Sequence, residues 1–146
     1  GKAFKPSDWS VSGLPIVRIQ NLNNAEAPYH YCNGQIEERF YLKGGELLFS
    51  WSGTPGTSFG AHIWRNEKAV LNQHIFKLIF DMTKLNKKYL AEALDFRVLT
   101  LINEAHGSAG LRHITKKMFE ETIIPIPPLE EQKRIVNEIA YLYEYL

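Results

Sequence analysis

The chain has little cysteine, little aspartate and no long hydrophobic run. A single cysteine, Cys32, among 146 residues excludes an internal disulfide framework and a cysteine-based zinc site. No apolar stretch approaches the roughly 18 consecutive residues that a membrane-spanning helix needs, and no secretory signal is visible. A hydrophobic content of 45% and a charged content of 23% are typical of a globular protein, and the length is that of one domain. We therefore expect a soluble cytoplasmic domain that does not bind membranes.

The sequence also lacks the residue groups that catalysis and metal binding require. Its five histidines are scattered, with no pair at metal-ligand spacing, and none of the three aspartates has the neighbours of a nucleophile or a metal cage. No glycine-framed serine, phosphate-binding glycine loop or dinucleotide-binding motif is present. We predict no catalytic residue, no metal site and no cofactor, so the chain is not expected to be an enzyme.

Basic and acidic residues almost balance, because 17 Lys and Arg face 16 Asp and Glu and leave a formal net charge of +1. A protein that binds nucleic acid over its whole surface is usually far more basic. The distribution is more informative, since basic residues cluster at 84–88 and 112–117 and acidic pairs lie at 37–38, 120–121 and 130–131. This pattern is compatible with one basic and one acidic face, and ordinary solvated surface charge is the alternative.

The first half of the sequence predicts β-structure interrupted by turns. Alternating or continuous apolar residues mark the strands, and clusters of Gly, Pro and Asn mark the turns, above all a reversal at residues 52–60. We predict strands at residues 16–20, 37–42, 46–51, 61–65, 70–71, 75–80 and 122–126.

Two helices are predicted in the second half. The first begins after an N-cap at Thr83 or Asn86, and its apolar residues recur at helical spacing until residues 103–110 break it. The second begins at Pro128, which a first helical turn tolerates. Its apolar face repeats at spacings that alternate between three and four residues, which is typical of a coiled-coil seam and includes Val136, Ile139, Tyr143 and Leu146. Either this helix completes the core of the domain, or it begins a coiled coil with a partner.

Polar side chains suited to nucleic acids lie at strand ends and in loops. Arg, Asn and Gln can form paired hydrogen bonds with base edges in the major groove, and Ser and Thr hydroxyls can bind phosphates. The same residue types are common in turns that have no such role. By themselves they leave the function open.

Four segments of the chain stand out together: GLPIVRIQNL at residues 13–22, GGELLFSWSG at 44–53, NQHI at 72–75 and IPIPPLEEQKRIV at 124–136. Together they resemble one family, the target recognition domain of type I restriction-modification specificity subunits. The last is the most specific and is similar to the junction between the recognition domain and a long helix. The four segments occur in the family's order, and the resemblance extends from about Gly1 to the end of the chain.

The resemblance implies an α+β fold with a single recognition domain, a twisted and mostly antiparallel β-sheet, flanking helices and a C-terminal coiled-coil-like helix. It assigns residues 1–127 to a DNA target recognition domain without the family's opening strand. Residues 128–146 would begin the long helix of the conserved region. Whole specificity subunits carry two recognition domains joined by two long antiparallel helices, so the chain resembles a half-subunit or an excised piece.

The resemblance also implies a function, partners and a site. The chain is expected to read one half of a bipartite site in double-stranded DNA and to dock methyltransferase and restriction subunits. Val136, Ile139, Tyr143 and Leu146 would contact a helix, which in a half-subunit is that of a second copy in a homodimer. Surface packing or turn formation is the alternative for each predicted DNA-binding residue. These residues are Arg18, Gln20, Asn21, Trp51, Ser52, Thr54, Thr57, Ser58, Arg65, Asn66, Arg112, Lys116 and Lys117.

Two other functions stay open at this point. The chain could be a protein-interaction or assembly module that acts through its C-terminal helix. It could also be the recognition domain of a fused restriction-methylation enzyme, separated from the catalytic part.

Overall fold

The computed structural model describes residues 1–24, 26–53, 57–65, 67–105 and 115–145, and of residues 101–105 it describes the helical backbone. Within these ranges the chain forms two compact units, one from Gly1 to Leu78 and one from Ile79 onward. The first unit is built mainly of strands and the second of helices.

The described strands of the first unit form two sheets. They are β1 (Leu14–Val17), β2 (His30–Cys32), β3 (Tyr41–Leu42), β4 (Leu47–Ser50), β5 (Gly60–Ile63), β6 (Ala69–Leu71) and β7 (Ile75–Lys77). One sheet has the order β2-β1-β6-β3 and the other the order β5-β4-β7. The pair of β1 and β6 is parallel, whereas the other pairs are antiparallel. The predicted α+β class with mostly antiparallel strands is confirmed, and the strands divide between two sheets rather than forming one.

The core of the first unit lies where strands from both sheets meet. All four residues of β4 are buried, which explains the continuous apolar run in its sequence. Leu48 of this strand packs in one cluster with Val17, Leu71 and Ile75, and Trp64 lies in the same cluster. The cluster therefore fixes the ends of β1 and β6 close to the beginning of β7.

Four α-helices lie in the described residues: α1 (Ile19–Asn23), α2 (Lys87–Ala105), α3 (Lys116–Glu120) and α4 (Leu129–Glu144). Asn86 caps α2, because its side-chain oxygen accepts hydrogen bonds from the backbone amides of Lys88 and Tyr89 at 3.0 and 3.1 Å. Asn86 is thus the N-cap, and the alternative prediction, Thr83, is wrong. No described helix has both the length and the apolar character that crossing a bilayer demands.

The sequence prediction differs from the structure at several other places in the described chain. The strand predicted at residues 75–80 ends at Lys77. Residues 16–20 are predicted as one strand, but β1 ends at Val17 and α1 begins at Ile19. Residues 37–42 yield a 3-10 turn, Glu38–Phe40, before the two-residue strand β3. Residues 122–126 belong to no strand. The prediction also omits β2, whose three residues show no alternation of apolar and polar side chains.

Candidate functional site

Three polar segments meet at one edge of the two sheets. The parallel strands β1 and β6 both end there, and β4 ends there because Ser50 pairs with Ile75 at the start of β7. We call this surface the loop face. It consists of residues 18–23, 51–53, 57–58 and 72–74.

Arg18 and Asn21 fix the first segment of the loop face. The Asn21 side chain is buried, its oxygen accepts from the Arg18 backbone amide at 3.0 Å, and its nitrogen donates to the Ala27 carbonyl at 3.0 Å. The half-buried Arg18 donates from one terminal guanidinium nitrogen to the Pro28 carbonyl at 2.8 Å. Asn21 therefore positions the backbone of this segment, while Gln20 beside it is exposed to solvent.

The second segment is the described part of the loop between β4 and β5. The Ser50 hydroxyl donates to the Ser52 carbonyl at 2.8 Å, and Gly53 has a φ of 118°. A Cβ atom at Gly53 would overlap the Ser58 hydroxyl and lie 3.5 Å from Cγ2 of Ile19. Only glycine fits this close approach between the loop and α1 without strain.

Asn23 joins the first segment to the second. With its carboxamide oriented for hydrogen bonding, its nitrogen donates to the Thr57 carbonyl at 2.6 Å and its oxygen accepts from the Ser58 amide at 3.1 Å. The Ser58 carbonyl lies 3.3 Å from Nε2 of His62 on β5. Burial lowers the pKa of His62, and this hydrogen bond partly opposes the effect. Both ends of the described loop are thus attached to neighbouring elements.

The third segment is the tight turn at residues 72–74, which connects β6 in one sheet to β7 in the other. The Asn72 amide donates to the Val17 carbonyl at 3.0 Å, and the Gln73 amide donates to the Lys2 carbonyl at 2.8 Å. His74 has a φ of 70°, which is uncommon for a residue other than glycine. Its ring lies 4.6 Å from that of Trp51, whose backbone amide donates to the His74 carbonyl at 3.1 Å.

Several polar atoms at this edge are buried and have no hydrogen-bond partner among the described residues. They are Nε of Arg18, Oδ1 of Asn72 and Nδ1 of His74, together with the hydroxyl of Tyr29. Buried polar groups in folded proteins are nearly always paired with protein or with ordered water. Arg18 and Asn72 directly follow the register pair Val17–Leu71, so they are neighbours across the parallel strands. The edge therefore has hydrogen-bonding capacity that the described chain does not use.

The structure brings together most of the predicted DNA-binding residues of the first unit and separates one from the rest. Gln20 and Thr57 are exposed on the loop face, Trp51 and Ser52 are half-buried, and Ser58 is buried. Arg65 lies at the opposite end of the second sheet, because it follows Ile63, which pairs with Leu47 at the beginning of β4. The length of β4, about 10 Å at roughly 3.4 Å per residue, separates the two ends. Three predicted residues, Thr54, Asn66 and Arg112, lie outside the described residues, as does Leu146 of the predicted helix interface.

The two predicted phosphate-binding lysines lie on α3 in the second unit. Nζ of Lys116 is 3.5 Å from the Glu120 carboxylate, and Nζ of Lys117 is 3.8 Å from that of Glu121. All four side chains are well exposed, so these ion pairs are weak and a stronger anion could displace the glutamates.

The helix α4 is anchored at its beginning and exposed at its end. Gln132 is fully buried, Val136 and Ile139 are half-buried, and Tyr143 is 70% exposed. An open groove of about 540 Å³ in the second unit has mainly apolar walls, formed by residues that include Tyr89, Phe96, Leu99, Ile124, Ile135 and Ile139. Hence the predicted seam packs inside the unit near its start and carries exposed aromatic surface near its end.

The list of predicted DNA-binding residues omits Asn23 and the turn at residues 72–74, although Asn23, Asn72 and Gln73 are among the polar side chains at strand ends and in loops. Asn23 lies in a polar cluster that suggests only a turn, and its partners are more than 30 residues away in sequence. The match of residues 72–75 to a family segment points to the turn. Its position beside Trp51, however, depends on how the strands pair, which the sequence does not show. Within the described residues, no three His, Cys, Asp or Glu side chains lie close enough together to hold a metal ion.

The two-sheet unit and its loop face define a domain that presents polar side chains from three separate segments at one edge. The chain belongs to the type I restriction modification DNA specificity domain family, whose model matches residues 1–144. It is 32% identical to the type I restriction enzyme EcoBI specificity subunit of Escherichia coli, over 97% of this chain and 29% of that protein. It is 33% identical to the MjaVIII specificity subunit of Methanocaldococcus jannaschii, over 92% of this chain and 36% of that protein. The chain thus spans about a third of the length of the curated relatives it matches.

Solved structures share the fold. The HsdS subunit from Thermoanaerobacter tengcongensis superposes with a TM-score of 0.64 at 21% identity, covering 99% of this chain and 34% of that one. A structure that describes complex assembly and conformational transition of the type I R-M system gives a TM-score of 0.68 at 21% identity, covering 99% and 35%. At these identities the likeness establishes the fold alone.

Proposed function

We propose that the chain is a sequence-specific DNA-recognition module of a type I restriction-modification system and that it reads one half of a bipartite target without catalysing a reaction itself. The observation that supports this most directly is the convergence of three polar segments on the loop face. Membership of the DNA specificity domain family supplies the context.

The loop face has the chemistry that a base-reading surface needs. Gln20 is exposed and carries a carboxamide that can both donate and accept at a base edge. Thr57, also exposed on the loop face, carries a hydroxyl of the kind that can contact a phosphate. Asn21, Asn23 and Gly53 position the backbone, so the groups that reach DNA are held in place before binding. Such preorganisation reduces the entropy cost of recognition.

Arg18 contributes a positive charge at the end of β1. One of its guanidinium N–H groups donates to the Pro28 carbonyl, and a guanidinium has further N–H donors. We propose that Lys116 and Lys117 on α3 add contacts to phosphates, which strengthen binding without regard to sequence. Arg65 lies at the far end of the second sheet, and we retain it as a candidate for a phosphate contact outside the loop face.

The test is a selection of bound duplexes from a random DNA pool, followed by sequencing. We expect the chain to enrich one short motif, both alone and with methyltransferase subunits that enlarge the interface. Absence of a motif in both experiments contradicts the proposal. In a complete specificity subunit, the region equivalent to this chain can be exchanged for that of a relative. This exchange should change the preferred half-site.

We also propose that α4 carries the assembly contacts with methyltransferase and restriction subunits in the cytoplasm and, in a half-subunit, with a second copy of the chain. The specific observation is the exposed apolar surface near its end, where Leu142 is 54% and Tyr143 70% exposed. Changing both to Glu should abolish co-purification with the methyltransferase subunit. Asn137→Glu, an exposed change on the same helix, is the matched control and should preserve it.

A further inference from the structure

We infer that Asn33 is a site of spontaneous deamidation, at which the folded chain converts to aspartate and isoaspartate. The inference goes beyond the proposed function and does not depend on it. Asn33 follows β2 at Cys32, which pairs with Leu14 at the end of β1 away from the loop face. It also lies outside the four segments that resemble the family.

The reaction takes place between an asparagine side chain and the next backbone amide. The nitrogen of Gly34 attacks Cγ of Asn33 and closes a succinimide ring. The bond from Cγ to Nδ2 breaks, and Nδ2 leaves as ammonia together with the proton of the attacking amide. Water then opens the ring. Cleavage between the nitrogen and Cγ gives aspartate, and cleavage between the nitrogen and the backbone carbonyl carbon gives isoaspartate.

The sequence favours this reaction at one position. Among the asparagines of the chain, only Asn33 precedes a glycine. Glycine has no Cβ atom to hinder the approach of its nitrogen to the side chain, and its backbone is the most flexible of all residues. A Cβ atom placed at Gly34 would meet only Sγ of Cys32, at 3.9 Å, so the surroundings also leave space for ring closure.

The structure leaves both reacting groups free. Asn33 and Gly34 are exposed and belong to no helix or strand. Within the described residues, neither the Asn33 carboxamide nor the Gly34 amide takes part in a hydrogen bond. Ring closure therefore breaks no hydrogen bond within this part of the chain, and water has access to the ring that forms.

Other asparagines are restrained by the fold. The Asn21 carboxamide is bonded to two backbone groups. The amide that follows Asn72 donates to the Lys2 carbonyl at 2.8 Å. Asn137 is exposed, but the next residue lies inside α4, where its amide is bonded to the carbonyl one turn earlier. Exposure, a free carboxamide and a free following amide coincide at Asn33.

The isoaspartyl product should disturb the pairing of β1 with β2, because it lengthens the main chain by one methylene group. A Cβ atom at Gly13 would overlap the carbonyl oxygen of Cys32 and lie 3.1 Å from Cα of Asn33. The main chain before the modified residue is thus packed closely against Gly13 and has little room to move. We expect the isoaspartyl chain to be less stable than the aspartyl chain.

The experiment incubates the purified chain for several days at mildly alkaline pH, because the attacking nitrogen must lose its proton. Mass spectrometry of a protease digest then measures each fragment that contains asparagine. We expect the fragment with Asn33 to exchange NH for O, with isoaspartate identified by electron-transfer fragmentation. The fragment with Asn137 is the internal control and should keep its mass.

Two variants test the chemistry at the site. Gly34→Ala should slow the reaction by about 10-fold, because a Cβ atom hinders ring closure. Asn33→Gln should abolish it, because the longer side chain places its carbonyl carbon wrongly for a five-membered ring. An unchanged rate in Gly34→Ala, or equal rates at Asn33 and Asn137, would contradict the inference.

The same chain in guanidinium chloride gives the rate without a fold. A rate in the folded chain within about 10-fold of this value supports the inference, and a slower rate contradicts it, because the fold then protects Asn33. Asn33→Asp reproduces the aspartyl product and so separates the new charge from the longer main chain. The isoaspartyl chain should unfold at a lower denaturant concentration than this variant, and equal midpoints would refute the expected disturbance of β1 and β2.

Discussion

The two units bury amide side chains in similar ways, but they leave different surfaces exposed. In the first unit Asn21 fixes a loop, and several polar atoms around it stay unpaired among the described residues. In the second unit Gln132 is fully buried and its carboxamide makes three hydrogen bonds, while the surface nearby is apolar. The first arrangement suits a ligand that forms hydrogen bonds, and the second suits another protein. The proposed base contacts therefore lie in the first unit, and the proposed assembly contacts lie in the second.

The largest expected effect concerns Gln132. Its oxygen accepts from the Asn86 amide at 2.8 Å, and its nitrogen donates to the carbonyls of Lys84 and Pro127 at 2.8 and 2.7 Å. Gln132→Ala leaves these three backbone groups without their partner, so we expect the free energy of unfolding to fall by about 3 kcal/mol. Urea denaturation measures the change.

Asn137→Ala, an exposed change on the same helix, is the control for Gln132 and should alter the free energy of unfolding by less than about 0.5 kcal/mol. Gln132→Glu provides a second check, because a carboxylate can still accept from Asn86 but cannot donate to the two carbonyls when ionised. Near-wild-type stability of Gln132→Ala would show that the buried amide does not anchor α4.

In the first unit, Gly53 is the residue whose replacement we expect to reduce stability, as Gln132 is in the second unit. Its φ of 118° and its contact with Ser58 leave no room for a Cβ atom, so Gly53→Ala must distort the loop. We expect a loss of about 1–3 kcal/mol in the free energy of unfolding, together with weaker motif enrichment. Gly34→Ala is the control, because a Cβ there meets only Sγ of Cys32, at 3.9 Å. Equal stability of the two variants would contradict the strained geometry of Gly53.

The comparison also shows why part of the molecule could be predicted. The strand at Leu47–Ser50 and the helix at Leu129–Glu144 have strong local signals, an apolar run and a regular apolar repeat, and both were predicted nearly to the residue. The helix α1 was not, because the alternation of residues 16–20 favours a strand and the capping by Asn21 is a side-chain contact that periodicity does not reveal. The local pattern of apolar and polar residues therefore predicts long elements better than short ones.

The candidate site was predictable only as separate pieces. Arg18 and Trp51 were both selected as polar or aromatic residues at strand ends, but so was Arg65, which lies at the opposite end of its sheet. The residue types are the same in each case, and only strand direction and register separate them.

A smaller effect is expected from the basic side chains of α3. Reversing both charges with Lys116→Glu and Lys117→Glu should weaken DNA binding equally at every sequence, because phosphate contacts carry no base information. The slope of log affinity against log salt concentration should become shallower by about 2, since each lost phosphate contact removes roughly 0.9. Binding measured by fluorescence anisotropy over a range of salt concentrations provides the slope.

Lys133→Glu with Arg134→Glu is the matched control for α3, since these basic side chains also form ion pairs with glutamates one helical turn away. The control should preserve the salt dependence of the wild-type chain. A sequence-dependent loss in the α3 variant would instead assign the two lysines to base recognition.

The smallest effect is a dependence of stability on pH through His62. Burial holds its pKa below the ordinary value, so the folded protein binds this proton less tightly than the unfolded chain does. As the pH falls through about 6.5, the unfolded chain gains the proton first, and the free energy of unfolding therefore decreases. His62→Gln removes the titration while keeping a donor for the Ser58 carbonyl. Urea denaturation at pH values on both sides of 6.5 should show a smaller loss for this variant than for the wild-type chain. Equal losses would mean that His62 does not couple the loop to pH, because all other titrating groups are common to both proteins.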